Sequence, residues 1–255
     1  MTSAVQPTPS TPELTRRAPV VYADTGSKIY AVMLAMLCVV IVLSGIGASK
    51  GVAFGPIITD GAFFIFPLSY ILGDSITEIY GPQAAKRAII MGFIVNAAAA
   101  GVYWIIIALP GLGDDYAHEK QQAITNALGP VWQIVLASMV GFAGGQTVNS
   151  LIMWFGKRRN KEKGLFARLA SSTGLGELVD TVLFCTIAAP VIGLVGWKQW
   201  ANYTVVGYLY KIAVQYAVMP ITAWAIRAIK RREPSYQAGL QVIAREGAPV
   251  GIAGQ

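Results

Sequence analysis

The sequence predicts an all-α, polytopic membrane protein with six transmembrane helices and both termini in the cytoplasm. Hydrophobic residues make up 55% of the 255 residues and charged residues only 13%, whereas soluble domains carry about 25% charged residues. Six apolar stretches also approach the roughly 20 residues that a helix needs to cross a bilayer. These observations exclude a soluble globular enzyme and a wholly disordered chain, and two cysteines are too few for a disulfide scaffold.

The six predicted spans differ in how well they fit a bilayer. The second is the weakest because its apolar run is interrupted at Asp74, and its length alone also allows a re-entrant segment or a buried core helix. In the fourth span, Gly141 and Gly145 are small residues four apart and predict close packing against another helix. The spans cover residues 29–49, 62–80, 84–109, 130–155, 172–196 and 203–226.

The predicted transmembrane domain covers residues 28–230, and polar segments flank it on both sides. Residues 1–27 are rich in Pro, Thr and Ser and lack the short apolar region of a signal peptide, so we expect a disordered cytoplasmic arm. Residues 231–255 begin with basic residues and continue without a strong apolar period. We expect them to form a basic and then flexible cytoplasmic tail.

The distribution of basic residues sets the predicted orientation. With both termini inside, 16 of the 20 lysines and arginines lie on the cytoplasmic side, and only Lys50, Lys120 and Lys198 fall in outer loops. Basic residues are enriched in cytoplasmic loops of membrane proteins. The same distribution accounts for the isoelectric point near 9.4 without a nucleic-acid partner.

Ionisable residues inside the spans indicate where function is to be sought. A charge at the centre of a membrane helix costs about 2.5–3.5 kcal/mol to insert, so such residues face the bundle interior or a water-filled cavity. The chain has five of them, Asp74, Glu78, Glu177, Asp180 and Lys211.

The spacing of these residues places them on common helix faces. Asp74 and Glu78 are four residues apart and share a face with Tyr70, while Glu177 and Asp180 are three apart. The sequence therefore predicts a polar pocket between the second and fifth spans. Glu78 and Glu177 could alternatively lie at the membrane interface, where water solvates them.

The fourth span adds two neutral polar residues with the same spacing, Gln146 and Asn149. They lie in residues 145–152, which resemble residues 176–183 position by position, as in an inverted repeat of antiparallel helices. At about 1.5 Å per residue, the polar residues of the second, fourth and fifth spans fall in the cytoplasmic half of the membrane. The same estimate places Lys211 in the outer half.

Two sequence motifs resemble those of a known family. Residues 66–81 read Phe-Pro-Leu-Ser-Tyr-Ile-Leu-Gly-Asp-Ser-Ile-Thr-Glu-Ile-Tyr-Gly, and residues 168–184 read Arg-Leu-Ala-Ser-Ser-Thr-Gly-Leu-Gly-Glu-Leu-Val-Asp-Thr-Val-Leu-Phe. The first is similar to the signature of the queuosine-precursor transporters, also called the vitamin uptake transporter family, and the second resembles that family's second signature. Two positions depart from the family pattern: Asn149 stands where an acid is common, and Glu177 where Gln is common.

The resemblance implies import of 7-deazaguanine bases, such as 7-cyano- or 7-aminomethyl-7-deazaguanine, across the bacterial plasma membrane for salvage into tRNA queuosine. It implies no cofactor, metal or catalytic residue. A carboxylate of Asp74, Glu78 or Asp180 could accept the adjacent N–H and NH2 groups of a guanine-like edge, and Tyr70 or Phe66 could stack on the ring. The amides of Gln146 and Asn149 could donate to the ring carbonyl.

The energy source and two rival classes stay open at this point. Buried carboxylates could couple a proton to transport. The chain has no phosphate-binding loop for ATP, but it could be the substrate-binding subunit of an energy-coupling-factor importer with a separate ATPase. An intramembrane enzyme is the other rival, but the string Gly-Leu-Gly-Asp at residues 111–114 lies in an outer loop. The substituent of the base and the oligomeric state are left open.

Overall fold

Helices account for most of the computed structural model, which describes residues 21–160 and 165–245. Its elements are α1 (Lys28–Gly47), β1 (Gly51–Phe54), β2 (Ile57–Asp60), α2 (Phe66–Tyr80), α3 (Pro82–Ala108), α4 (Asp115–Leu128), α5 (Val131–Asn160), α6 (Leu165–Ala188), α7 (Trp197–Arg232) and α8 (Pro234–Arg245). The predicted spans thus correspond to α1, α2, α3, α5, α6 and α7. The boundaries of the first four lie within five residues of the prediction, whereas both ends of α6 and of α7 differ from it by six to eight residues.

Four stretches of the described residues are long and apolar enough to cross a membrane: Lys28–Gly47, Pro82–Ala108, Asp115–Val148 and Trp197–Arg232. The third combines α4 with the first part of α5. Helix α2 has 15 residues, which corresponds to about 22 Å of helix against a hydrocarbon core of about 30 Å. Length and hydropathy therefore support a polytopic helical membrane protein, with four rather than six spans meeting this criterion.

A two-stranded β-hairpin connects α1 to α2, and it departs from the all-α prediction. Strand β1 pairs antiparallel with β2, with Gly51 opposite Asp60 and Phe54 opposite Ile57. The turn contains Gly55 at φ +59°, a conformation that glycine adopts without steric cost. The predicted spans leave this segment as an outer loop, because strands of only four residues carry too little periodicity to be identified.

Two further helices were not predicted. Helix α4 lies in the loop after α3 and begins at Asp115. The preceding residue, Asp114, is its N-cap, because its side chain accepts a hydrogen bond from the Ala117 N–H at 2.7 Å. Helix α8 occupies Pro234–Arg245, where the sequence predicted a flexible tail. Its first residue is proline. Proline is favoured at this position because a backbone N–H there would have no acceptor within the helix, so the lack of an N–H costs nothing.

The segment just before α1 is packed, which corrects the prediction of a disordered arm over residues 21–27. The Ala23 N–H donates to the carbonyl oxygen of Ile79 at 2.8 Å, and the Asp24 N–H donates to Ser235 Oγ at 3.0 Å. Ala23 itself is buried. Residues 1–20 of the predicted arm lie outside the described residues.

A buried carboxylate connects α1, α2 and α7 at one end of the bundle. Glu233 is 1% exposed, and its Oε2 accepts hydrogen bonds from Ser27 Oγ and Tyr80 OH, both at 2.9 Å. Ser235 Oγ donates to its Oε1 at 2.8 Å. Burial raises the pKa of Glu233, but the hydrogen bonds from Ser235, Ser27 and Tyr80 outweigh it and hold the pKa below its usual value. Glu233 therefore stays ionised and holds these helix ends together.

At the opposite end, the hairpin packs against the start of α7. The Asn202 side chain accepts from the Ile58 N–H and donates to the Pro56 carbonyl oxygen, both at 3.0 Å. Tyr203 OH donates to Asp60 Oδ2. Helices α1, α2 and α7 thus run between two polar ends.

Apolar packing forms separate clusters near these two ends. One contains Leu37, Ile76 and Ile79, and another contains Ala48 and Tyr203. Residues of both clusters, Leu37, Ala48 and Tyr203 among them, line a cavity inside the bundle.

Candidate functional site

A cavity of ≈ 470 Å³ lies inside the helical bundle. Its walls come from β2 and from α1, α2, α3, α5, α6 and α7. Pockets that bind small molecules have volumes of about 300–1,000 Å³ and combine apolar walls with a few polar groups. This cavity therefore has the size of a small-molecule binding site.

The structure brings six of the eight sequence-predicted site residues to this cavity: Tyr70, Asp74, Gln146, Glu177, Asp180 and Lys211. Glu78 is not among the lining residues. It is 45% exposed, and its Oε1 lies 2.6 Å from Lys230 Nζ in an ion pair. The side chain of Asn149 lies outside the described residues.

Lys211 forms ion pairs with two of the acids. Its Nζ lies 3.1 Å from Glu177 Oε1 and 2.5 Å from Asp180 Oδ2, and all three side chains are less than one quarter exposed. The ammonium also lies 5.4 Å from the centre of the Phe66 ring and 6.0 Å from that of Phe184. Aromatic faces attract cations at such distances.

This contact corrects the depth estimate that placed Lys211 apart from the acids. Helix α7 begins at Trp197 rather than at residue 203, so Lys211 lies further along the helix than the estimate assumed. Helix α6 ends at Ala188 rather than at residue 196, which changes the depth of Asp180 as well. The cation and the two carboxylates therefore meet at one level.

Asp74 has no ion-pair or hydrogen-bond partner within the described part of the chain, and it is exposed to the cavity. One helical turn earlier, Tyr70 OH donates to Glu177 Oε1 at 3.4 Å. The rings of Tyr70 and Phe66 meet edge to face with centroids 4.9 Å apart. An available carboxylate thus lies next to aromatic rings on the same wall.

Gln146 is also open to the cavity and forms no hydrogen bond with any described residue. Its amide offers both a donor and an acceptor. Together with Asp74, it leaves hydrogen-bonding capacity on two sides of the cavity for a bound molecule.

Among the polar residues that line the cavity and that the sequence did not predict as site residues are Asp60 and Asn96. Asp60, in β2, accepts hydrogen bonds from Tyr203 OH and from the Ala62 N–H, and it was overlooked because it precedes the second predicted span. Asn96, in α3, is 2% exposed. Its position within the long apolar run of the third span was a signal that could have identified it.

Close packing of α5 against α6 holds Asp180 in position. A Cβ atom added at Gly145 would lie 2.8 Å from the Gly176 carbonyl oxygen and 2.9 Å from Asp180 Cβ, and one added at Gly141 would lie 2.8 Å from Asp180 Oδ1. These separations are shorter than real Cβ contacts. The two glycines therefore allow the approach that the sequence predicted, and the approach places Asp180 beside Lys211.

We expect Gly145→Ala to destabilise the protein by about 1–3 kcal/mol, because the added methyl group overlaps the backbone and Asp180 of α6. The measurement is the thermal unfolding temperature of the purified protein in detergent. Gly101→Ala in α3 is the control, since a Cβ there has nothing within 4 Å. Equal unfolding temperatures for the two variants would contradict the packing argument.

A helical membrane bundle around a chamber with acids, one lysine and aromatic rings has the features of a membrane transporter for a small polar molecule. Over residues 60–225 the chain matches the model of the family described as "Putative vitamin uptake transporter". The chain belongs to this family, as its two motifs indicated. The matched residues include all six predicted site residues that line the cavity.

The chain is also similar to a protein of Bacillus subtilis (strain 168) named "Probable queuosine precursor transporter". The two are 26% identical over 164 residues, which cover 64% of this chain and 69% of the relative. No solved structure matches the chain. Membership in a transporter family supports a carrier rather than an intramembrane enzyme.

Proposed function

We propose that this protein imports queuosine precursors, 7-deazaguanine bases such as 7-cyano- or 7-aminomethyl-7-deazaguanine, across the bacterial plasma membrane for salvage into tRNA queuosine. The name of the Bacillus relative supports this substrate class. The structural observation that carries the proposal is the carboxylate of Asp74, which has no partner among the described residues and opens to the cavity beside Tyr70 and Phe66.

This arrangement suits a guanine-like base. The base presents a ring N–H and an NH2 side by side, and one carboxylate can accept both hydrogen bonds. Asp74 is free for this role, whereas Glu177 and Asp180 are already paired with Lys211. The flat ring can contact the aromatic side chains, and the Gln146 amide can donate to the ring carbonyl.

We further propose that α1, α2, α3, α5, α6 and α7 all cross the membrane and that both termini are cytoplasmic. The excess of basic residues on one side supports this orientation. The cluster around Glu233 connects the start of α1 with the ends of α2 and α7, as alternating spans require. The shortness of α2 is compatible with a span, because non-helical backbone at membrane depth is tolerated where protein surrounds it.

A proton is the coupling ion that the cavity suits best. Among the described residues, four carboxylates line it, from Asp60, Asp74, Glu177 and Asp180, together with one ammonium, that of Lys211. An excess of intramembrane acids is typical of proton relays. Collapse of the proton gradient is then expected to stop uptake against a concentration gradient, and unaffected uptake would contradict this part of the proposal.

The decisive experiment expresses the protein in a bacterial strain that can neither synthesise nor import queuosine precursors. The strain is grown with one precursor, and queuosine in its tRNA is measured. We expect the chain alone to restore queuosine. Recovery only after co-expression of an energy-coupling ATPase module would favour the substrate-binding subunit instead. Absence of queuosine in both cases, with the protein present in the membrane, would refute the proposed function.

A further inference from the structure

The two ends of the chamber differ in how accessible they are. At the end toward the last turns of α2, the lining residues Asp74, Thr77 and Gln146 are exposed. At the other end, the lining residues belong to the apolar cluster against which β2 packs. Those residues are buried and include Ala48, Ala62, Cys185 and Tyr203. Within the described part of the chain, the chamber is therefore open at the end of Asp74 and closed at the end of the hairpin.

The β-hairpin covers the closed end. Thr59 and Asp60 of β2 line the chamber, and Ile58 packs against the apolar cluster below them. Beside the turn, Phe54 is 53% exposed and Ile57 is 46% exposed. The hairpin thus lies between the chamber and the surroundings of the bundle.

Three contacts with the region of α6 and α7 hold the hairpin in this place. Asp60 accepts a hydrogen bond from Tyr203 OH, and the Asn202 side chain bonds two backbone groups of the hairpin, both at 3.0 Å. A Cβ added at Gly51 would lie 3.3 Å from Ile192 Cβ, so the start of β1 meets the turn that follows α6. These contacts join residues that are far apart in sequence.

The hairpin is a small unit whose position depends on such contacts. Its strands have four residues each, and a two-stranded hairpin is at best marginally stable by itself. Segments with little buried apolar surface open at a lower free energy than the core does. A carrier needs such a movable part, because its binding site must be accessible from the two sides of the membrane in turn.

We propose that the hairpin is the outer gate of the chamber and that the hydrogen bond from Tyr203 to Asp60 is its latch. In this structure the gate is closed, and the end at Asp74 is open toward the cytoplasm. A precursor enters from outside only after the hairpin separates from Tyr203, Asn202 and Ile192. The inference rests on the proposed function, which supplies the orientation and the transported molecule.

A disulfide across the closed gate tests the proposal. Disulfides join Cβ atoms about 3.5–4.5 Å apart, so Gly51→Cys combined with Ile192→Cys is expected to form one after a small shift from the 3.3 Å separation. Cells that express the double variant are treated with copper phenanthroline, and precursor uptake is measured. We expect uptake to fall in proportion to the cross-linked fraction, because the gate cannot open, and to recover after dithiothreitol.

Two comparisons separate a locked gate from a damaged protein. Each single-cysteine variant is expected to respond to the oxidant no more than the unmodified protein does. The purified double variant is expected to bind 7-cyano-7-deazaguanine equally well when cross-linked and when reduced, measured as the rise in thermal unfolding temperature, because the end at Asp74 stays open. Loss of that binding on cross-linking, full uptake by the cross-linked protein, or failure of the two cysteines to cross-link would contradict the gate.

The native Cys185 reports on the gate independently. It is 2% exposed and lines the chamber in the same cluster as Tyr203, and with Cys38→Ala it is the one thiol left in the sequence. We expect Tyr203→Phe to raise its labelling rate by a membrane-impermeant maleimide added outside about tenfold, the effect of one lost hydrogen bond. Tyr208→Phe is the control, because that hydroxyl donates to the Gly174 carbonyl oxygen at 3.3 Å rather than to the hairpin.

The labelling result decides whether the gate exists and on which side it lies. Equal rates for Tyr203→Phe and Tyr208→Phe would refute the gate. A rise that occurs only with reagent at the cytoplasmic face would refute its outer position. Absence of uptake by the unmodified protein would refute the proposed function, and the labelling, which needs no substrate, would still show whether the hairpin opens. Normal uptake with unchanged labelling would refute the gate alone.

Discussion

Asp74→Asn is expected to lower kcat/KM for precursor uptake by about 10²–10³-fold. The amide keeps the shape of the side chain but replaces one acceptor oxygen with a donor NH2 group, which faces the NH2 group of the base. Sites that hydrogen-bond a substrate discriminate strongly when one partner no longer matches, and hydrogen bonds to a carboxylate are stronger than neutral ones. The measurement is initial uptake rate against precursor concentration in intact cells.

The control for this variant lies one turn along the same helix. Glu78→Gln removes an identical charge, but Glu78 pairs with Lys230 and does not line the cavity. We expect nearly normal uptake from this variant. Normal uptake by Asp74→Asn, with normal insertion, would contradict the role of Asp74 in binding the base.

Lys211→Met is expected to destabilise the protein by about 3–5 kcal/mol. The change removes the ammonium that pairs with Glu177 and Asp180, and loss of one partner leaves buried charge without compensation. The readout is the thermal unfolding temperature in detergent, with the amount of protein in the membrane as a second measure. Lys198→Met is the control, because Lys198 is exposed and forms no ion pair with a described residue.

A triple variant separates the charge effect from the transport function. Glu177→Gln combined with Asp180→Asn and Lys211→Met removes both carboxylates together with the ammonium. Because neutral replacement of a whole buried ion pair costs little, we expect the triple variant to recover most of the unfolding temperature while uptake stays lost. A triple variant as unstable as the single one would show that Lys211 stabilises the protein by packing rather than by charge.

Local sequence properties predicted the helices well and the shorter elements poorly. Long apolar runs specify α1, α3, α5, α6 and α7, because burial in lipid dictates helix for any such run. The hairpin, α4 and α8 have no comparable signal. Four-residue strands carry little periodicity, and α8 in particular packs against residues that are distant in sequence, as the contact of Gly239 with Val21 illustrates.

The candidate site shows the same division at the level of single residues. Asp74 and Glu78 share a helix face and looked equivalent in the sequence, but they lie one turn apart in depth. That difference places Asp74 at the cavity and Glu78 beside Lys230. Asp60 was overlooked because its place in the cavity depends on how the hairpin packs against Tyr203.

The sequence by itself determined that this is a helical membrane protein of the vitamin uptake transporter family and that its intramembrane acids must avoid lipid. These properties follow from composition, from motifs and from the cost of charge in hydrocarbon, each of which is local to the chain. Only the tertiary structure decided which acid has no partner among the described residues and which two share Lys211. Those outcomes depend on the relative depth and rotation of packed helices, and close contacts such as that of Gly145 with Asp180 fix both.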